Sequence, residues 1–112
     1  MSDQQKVSVK ASALLAYLSG HIGRANGVGV KDMAAWFGWS PRDVRLMVTE
    51  LRERGHAICA HPAVGYWIAE TPEEIDEACA FLHSRAMRSL SLIARIKKIA
   101  LPDLLGQLKL RT

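Results

Sequence analysis

The sequence predicts a mainly α-helical protein with one small β-hairpin and a long C-terminal helix. Apolar residues recur every three or four positions in several stretches, and glycine or proline separates those stretches. Two short extended runs, residues 56–60 and 66–69, flank a turn that contains Pro62 and closes at Gly65. A further stretch from residue 71 keeps helical spacing well beyond the length of an ordinary helix. The 112 residues suffice for one compact domain with a small core.

The first predicted helix precedes Gly23. Its apolar positions, at helical spacing, are Ala11, Leu14, Leu15, Leu18 and Ile22. Residues 24–30 contain two glycines and an Asn-Gly pair, so we expect a loop there, with one short extended segment at 28–30.

A second short helix is predicted over residues 31–37. Gly38 should end it, and its inward side chains should be Met33, Ala34 and Phe37. We expect Trp39 and one of the later aromatics, Tyr66 or Trp67, to join the core. Trp36 falls beside the inward set, and an aromatic with an exposed edge is suited to a partner contact.

Residues 40–55, SPRDVRLMVTELRERG, have the signals of one complete helix. Ser40 suits the N-cap, Pro41 the first helical position and Asp43 the third, and Gly55 supplies a left-handed stop. Helical spacing gathers an apolar side made of Val44, Met47, Val48 and Leu51. It places a polar stripe on the opposite half, made of Arg42, Arg45, Thr49 and Arg52. For this helix taken alone, a merely solvated face is the favoured interpretation, and the context of the other elements must decide.

The long helix should begin at Thr71 and Pro72, with Glu74 completing a capping box. Its first turns are acidic and its last turns basic, which the helix dipole favours. Pro102 should end or kink it, and leucines 101, 104, 105 and 108 then form one apolar face. The apolar stripe exceeds what a small domain can cover, which predicts a dimer or partner interface at Ile75, Cys79, Leu82, Ala86, Ile93 and Ile96.

The order helix, helix, three-residue turn, helix and hairpin is that of a winged helix-turn-helix domain, here residues 1–70, followed by a helical extension, residues 71–112. In that geometry the helix after the turn lies in the DNA major groove, with its apolar side inward. Arginine suits the outward side because its planar fork matches guanine or phosphate. The predicted DNA contacts are Lys31, Ser40, Arg42, Arg45, Leu46, Thr49 and Arg52.

Two segments also carry a family resemblance: DMAAWFGWSPRDVRLMVTELRERGHAI and GYWIAETPEEIDEACAFLHSRA. Over about residues 11–88 the chain resembles winged-helix proteins of bacteriophages and prophages. In those proteins a Gly-aromatic-aromatic-Ile-Ala run ends the wing, and an acidic helix with a Ser-Arg-Ala segment follows. The resemblance implies DNA binding inside a bacterial cell. One departure is the expected wing tip, His61-Pro62-Ala63, which has no Lys or Arg for the minor groove.

Composition excludes several classes of protein. Fifteen Lys and Arg against eleven Asp and Glu give a net charge of +4, which is compatible with nucleic acid without requiring it. The start MSDQQKVSVK lacks the apolar run of a signal peptide, and two cysteines make no disulfide framework, so we expect a cytoplasmic protein. No apolar stretch is long enough to span a membrane.

The candidate metal ligands are His56, Cys59, His61, Cys79 and His83. Cys-x-His is not the usual zinc spacing, and Cys79 lies on the apolar stripe, so a core cysteine is the expected role. The glycines of residues 23–31 lack the ending of a phosphate loop. We therefore expect no metal, no cofactor and no enzymatic activity.

Two functional hypotheses remain. The first is a sequence-specific double-stranded DNA-binding protein that pairs through its C-terminal helix and acts in phage transcription regulation, replication or packaging. The acidic beginning of that helix favours pairing over a membrane-surface role. The second is a protein-interaction adaptor that has lost DNA binding.

Overall fold

The computed structural model describes residues 8–110, which form five α-helices and a two-stranded antiparallel sheet. The helices and strands, in chain order, are α1 Val9–Leu18, α2 Val30–Phe37, α3 Pro41–Glu53, β1 Ile58–His61, β2 Gly65–Ile68, α4 Pro72–Lys97 and α5 Leu101–Gln107. A single 3-10 turn, Arg24–Asn26, lies between α1 and α2. This order confirms the predicted fold class: a winged helix-turn-helix followed by a long C-terminal helix.

The turn between α2 and α3 forms as its sequence predicts. Gly38 adopts φ 71°, a left-handed conformation that ends α2 without the steric cost of a side chain. Ser40 is the N-cap of α3, and its hydroxyl accepts a hydrogen bond from the Asp43 backbone N–H at 3.1 Å. Gly55, with φ 90°, follows the end of α3. These caps fix where α3 begins and which of its sides faces inward.

The first helix is shorter than predicted. It ends at Leu18, and Ile22 instead lies in a parallel bridge with Ile68. The Ile68 N–H donates to the His21 carbonyl at 2.9 Å, and the Gly23 N–H donates to the Ile68 carbonyl at 2.8 Å. The expectation that Ile22 continues the helix is wrong because these non-local backbone bonds compete with helical ones.

The hairpin pairs Ile58 with Ile68 at one end and His61 with Gly65 at the other. Val28 adds one residue to the sheet, because its backbone N–H and carbonyl both bond to Tyr66, at 2.8 and 2.7 Å. A Cβ at Gly65, which has φ 99°, would overlap the Val28 carbonyl, so only glycine fits there. The predicted extended segment at 28–30 is thus confined to Val28, since α2 already begins at Val30.

The core forms where the inward sides of the first three helices meet the hairpin. Its buried side chains include Ala11, Leu14, Leu18, Met33, Ala34, Val44, Val48, Leu51 and Ile58. Phe37, Met47 and Trp39 are half-buried against this cluster, and Trp39 stacks on Phe37 with ring centroids 4.2 Å apart. Of the wing aromatics, Trp67 is buried and Tyr66 is half-buried against the cluster. The predicted inward sets of α2 and α3 are therefore confirmed.

The chain divides into two compact units, the first ending at Ala78 and the second beginning at Cys79. The first turns of α4 belong to the first unit because Glu74 bonds with the hairpin. Its carboxylate accepts from the Trp67 indole N–H at 2.7 Å, and its carbonyl accepts from the Cys59 thiol at 3.5 Å. The capping box is half formed: Thr71 caps the Glu74 N–H, whereas the Glu74 carboxylate bonds the N–H of Glu70.

In the second unit α4 ends at Lys97, and Lys98 takes a left-handed conformation with φ 59°. Pro102 lies in the first turn of α5, so it neither ends nor kinks α4. Ala94, Leu104 and Leu105 are the buried apolar side chains of this unit among the residues described. Within residues 8–110, none of the helices combines the length and apolar character needed to cross a membrane.

Candidate nucleic-acid interface

The outer face of α3, which we define as Arg42, Arg45, Leu46 and Thr49, is exposed along its length. Burial of Val44, Val48 and Leu51 fixes the opposite side of the helix against the core. Leu46 is 49% exposed although it is a large aliphatic side chain. The Thr49 hydroxyl donates to the Arg45 carbonyl at 3.1 Å, so one turn of the face is internally bonded. The structure therefore brings four of the predicted DNA-contact residues together on one surface.

The acidic residues of α3 are partly engaged elsewhere. Asp43 forms an ion pair with Lys10 of α1 at 3.5 Å, and the Glu50 carboxylate accepts from the Ser8 hydroxyl at 2.7 Å. Both contacts direct a carboxylate toward α1. They leave the N-terminal half of the outer face to Arg42 and Arg45, whereas Glu53 is exposed near the C-terminal end. The two arginines of the face consequently lie in its N-terminal half.

Arg52 lies at the edge of this face, with a contact that the helical spacing does not predict. It is half-buried, and its Nε–H donates to the Ile58 carbonyl at 2.9 Å. The side chain thereby joins the last turn of α3 to the first residue of β1. Arg52 has a structural role, and its DNA contact stays a prediction.

The remaining predicted contacts, Lys31 and Ser40, are not part of the outer face of α3. Lys31 is exposed in the first turn of α2. Ser40 is exposed, but its hydroxyl oxygen already accepts the capping hydrogen bond.

At the wing tip the His61 ring Nδ1 accepts from the Ala63 N–H at 3.0 Å, so a local turn occupies this nitrogen. Sequence patterns do not identify Lys10 as a basic residue beside α3. It lies beside Asp43 and its Nζ is 4.9 Å from the centroid of the Trp39 ring.

Charge is distributed unequally between the two units. Residues 1–78 contain eight Lys and Arg against ten Asp and Glu, a net charge of −2. Residues 79–112 contain seven against one, a net charge of +6. The overall excess of +4 therefore comes from the second unit. The outer face of α3 is a local basic surface on a slightly acidic unit.

The predicted partner-interface residues of α4 are all exposed in the single chain: Ile75, Cys79, Leu82, Ala86, Ile93 and Ile96. Ile96 is 72% exposed. The expectation of a core role for Cys79 is wrong, because its side of α4 has no covering element among residues 8–110; the buried cysteine is Cys59. Apolar periodicity identifies this side of the helix and cannot tell whether the same chain covers it.

Trp36 is 70% exposed on α2, as the spacing predicts. Its ring is tilted against Tyr17, with centroids 5.7 Å apart, so one face of the indole packs and the rest is accessible. A role in partner binding stays a prediction. Residues 8–110 contain no group of three or more His, Cys, Asp or Glu side chains that could hold a metal ion.

The Glu74 carboxylate has an altered acidity that follows from its contacts. Desolvation raises the pKa of Glu74, but hydrogen bonds from the Glu70 N–H and the Trp67 indole, together with the positive charge of Arg24, lower it by more. The net pKa lies below its usual value of 4.5. Arg24 also pairs with Glu77 at 2.9 Å, so two carboxylates at the start of α4 are tied to the first unit.

Comparison with known proteins finds no match for this arrangement. No family model matches the chain, and neither a curated protein nor a solved structure matches it.

Proposed function

We propose that this protein binds double-stranded DNA sequence-specifically through the outer face of α3 and pairs with a second copy through α4. The observation that carries the proposal is the exposed arginine pair, Arg42 and Arg45, at the N-terminal end of the helix that follows the turn. A winged helix-turn-helix places that end of the helix against base edges in the major groove. The resemblance to phage winged-helix proteins supports a role in transcription regulation, replication or packaging in the cytoplasm of a bacterial host.

Each side chain of the face suits a distinct contact. The guanidinium of Arg45 can donate two parallel hydrogen bonds to O6 and N7 of a guanine. Leu46 offers an aliphatic contact to a thymine methyl group, which is compatible with its exposure. Arg42, the second residue of α3, and Lys31, exposed in the first turn of α2, suit contacts with phosphates. The chemistry is recognition by hydrogen bonds and shape, with no bond made or broken.

The net charge of −2 on the first unit predicts how DNA affinity should depend on salt concentration. Non-specific attraction to DNA scales with the number of phosphates that cations neutralise, at about −0.9 per phosphate in the slope of log affinity against log salt. A face with few cations should give a shallow slope for the first unit, and base contacts should then supply much of the discrimination. Sequence preference should persist at salt concentrations where arbitrary DNA no longer binds.

Fluorescence anisotropy with a labelled duplex tests the proposal. We expect arbitrary duplex DNA to bind at low salt and to dissociate as salt rises, and a site selected from random sequence to bind more tightly. Arg88→Ala is a matched control, because it removes an exposed arginine from α4 and leaves the outer face of α3 intact. Absence of binding at low salt for the full chain would overturn the proposal.

The second candidate is a protein-interaction adaptor. Three observations favour it: the exposed indole of Trp36, the acidic balance of the first unit and the wing tip without Lys or Arg. An adaptor would show no affinity for duplex DNA, whereas Trp36→Ala would abolish its binding to a partner protein. The same substitution should leave DNA affinity unchanged if α3 binds DNA, because Trp36 is neither on the outer face of α3 nor among the predicted DNA contacts.

A further inference from the structure

One side of α4 has the spacing of a coiled coil and no partner in the single chain as described over residues 8–110. We define the α4 seam as the residues that alternate at intervals of four and three along it: Ile75, Cys79, Leu82, Ala86, Ser89, Ile93 and Ile96. All seven are exposed. A 4-3 alternation is the heptad pattern in which two helices interlock along a straight stripe. In the second unit, the half-buried and buried positions of α4 lie on a different side of the helix, at Met87, Leu90, Ser91 and Ala94.

We infer that the α4 seam binds the same seam of a second copy of this chain, with the two helices antiparallel and Cys79 facing Ile96 of the partner subunit. This inference rests on the pairing part of the proposed function and is independent of DNA binding. It specifies the occupant, the direction and the register, which the exposed apolar side alone does not.

Charge determines the direction. The first turns of α4 carry exposed Glu73 and Asp76, beside Glu74 and Glu77, which are bonded within the first unit. Its last turns and the following residue carry Arg95, Lys97 and Lys98. Parallel helices would place the acidic ends together and the basic ends together. Antiparallel helices place each acidic end beside a basic end and also oppose the two helix dipoles. Exposed charges of this kind select the orientation, while burial of the apolar seam supplies the attraction.

The heptad pattern then determines the register. Antiparallel coiled coils place the two kinds of seam position opposite each other, and one alignment pairs Cys79 with the partner's Ile96, Leu82 with the partner's Ile93, and Ala86 with the partner's Ser89. In this alignment the small residues lie at the centre and the large ones flank them. Asp76, which borders the seam, then lies beside the partner's Lys97.

Shifting the alignment by one heptad loses this charge match. One shift brings Asp76 beside the partner's Leu90, and the opposite shift brings Lys97 beside the partner's His83. The proposed register leaves Ile75 without an opposite seam residue, the first shift leaves Ile96, and the opposite shift leaves Ile75, Cys79 and Leu82. Spacing therefore disfavours the second shift, and the charge match favours the register with Cys79 against Ile96 over the first.

Disulfide cross-linking tests direction and register in the full chain. In the proposed dimer the two Cys79 residues are about 25 Å apart along the helices, since seventeen positions separate residue 79 from residue 96 at about 1.5 Å each. A disulfide requires Cα atoms within roughly 7 Å. After oxidation with diamide, the unmodified protein should stay monomeric on a non-reducing denaturing gel, and Ile96→Cys should form a covalent dimer through Cys79.

The double variant Cys79→Ser, Ile96→Cys is the matched control and should not cross-link, because Cys59 is buried. Cross-linking of the unmodified protein through Cys79 would indicate parallel helices and overturn the inference. A dimer in sedimentation that Ile96→Cys fails to cross-link would overturn the register. A monomer in sedimentation at tens of micromolar would overturn both this inference and the proposed pairing, while anisotropy with duplex DNA reports on the DNA proposal separately.

Charge reversal gives a second test that adds no cysteine. Asp76→Lys and Lys97→Asp should each raise the dimer dissociation constant several-fold, because each creates like-charge neighbours at both ends of the symmetric pair. The double variant should restore the dissociation constant to within about twofold of the unmodified chain. If the two single effects simply add, the two residues are not neighbours and the register is wrong.

Discussion

The outer face of α3 and the α4 seam are both exposed, but they differ in chemistry and in what lies behind them. The face of α3 is polar and is backed by the buried core side chains of the same helix, Val44, Val48 and Leu51. The seam is apolar, and within the second unit α4 contributes only one buried side chain among the residues described, Ala94. The first arrangement presents hydrogen-bond donors on a fixed support. The second exposes a surface whose burial needs another molecule.

Net charge sharpens the contrast. The unit that carries the proposed DNA-binding face has a charge of −2, and the unit that carries most of the seam has a charge of +6. The overall basicity of the chain is therefore a poor guide to where DNA would bind. A few well-placed arginines on α3 can read bases, whereas scattered lysines and arginines mainly add non-specific attraction to phosphate. Substitutions in the two regions should accordingly change different measured quantities.

The largest expected effect is on the free energy of unfolding, and it should distinguish a buried leucine, Leu14, from a leucine of the α4 seam, Leu82. Leu14→Ala should lower the free energy of unfolding by about 2 to 5 kcal/mol, because Leu14 is fully buried and its removal leaves a cavity. Leu82→Ala should change the stability of the monomer by no more than about 0.5 kcal/mol and should instead weaken the dimer. Urea unfolding, at protein concentrations too low for the dimer to form, measures the stability of the monomer. Sedimentation at higher protein concentrations measures the strength of the dimer. Equal destabilisation by the two substitutions would show that the seam is covered within one chain.

A smaller effect is expected at Arg45. Arg45→Ala should cost about 1 to 3 kcal/mol of binding free energy on the best DNA site and flatten the preference at one base position. Thermal stability should be unchanged, because the side chain is exposed. Anisotropy with the selected site and its single-base variants measures the change, and Arg88→Ala removes the same charge from α4. A uniform loss across all sequences would assign Arg45 to a phosphate.

The features predicted from the sequence are those that local geometry determines. The Ser40 cap, the left-handed Gly38 and the inward residues of α3 follow from steric rules and helical spacing over a few positions, and the structure confirms them. Fold class followed from the order of such segments. The candidate face on α3 was predictable as a surface for the same reason.

Contacts between distant segments were not predictable. The bridge between Ile22 and Ile68, the bond from Arg52 to the Ile58 carbonyl and the Lys10–Asp43 pair each depend on how separate elements pack. Periodicity also marks an apolar side without showing what covers it. That ambiguity explains why the spacing of Cys79 predicts a core position although the residue is exposed.

The next prediction concerns Arg52, which has a structural contact with Ile58 and is also a predicted DNA contact. Arg52→Ala should lower the free energy of unfolding by about 0.5 to 1.5 kcal/mol, because the bond to the Ile58 carbonyl is lost. If it also contacts a phosphate, its loss should weaken all sequences about equally and reduce the salt slope by about one unit per protomer. Arg42→Ala is the comparison, because this exposed arginine should affect DNA binding and leave unfolding unchanged. Unaltered stability of Arg52→Ala would show that the bond to Ile58 contributes nothing.

The smallest effect concerns the acid stability of the first unit. The folded pKa of Glu74 lies below its usual value of 4.5, so folding favours the ionised carboxylate. Its contribution to stability is therefore fully present above about pH 4.5 and is lost as the pH falls through the lower, folded pKa. Glu74→Gln should be less stable than the unmodified chain at pH 7, and this difference should shrink as the pH is lowered below 4.5. Glu73→Gln removes a charge from the same turn without the bonds to Trp67 and Glu70, so it should show no comparable dependence. Urea unfolding at a series of pH values measures the difference, and a constant gap between the unmodified chain and Glu74→Gln would mean that the charge of Glu74 does not stabilise the join between the hairpin and α4.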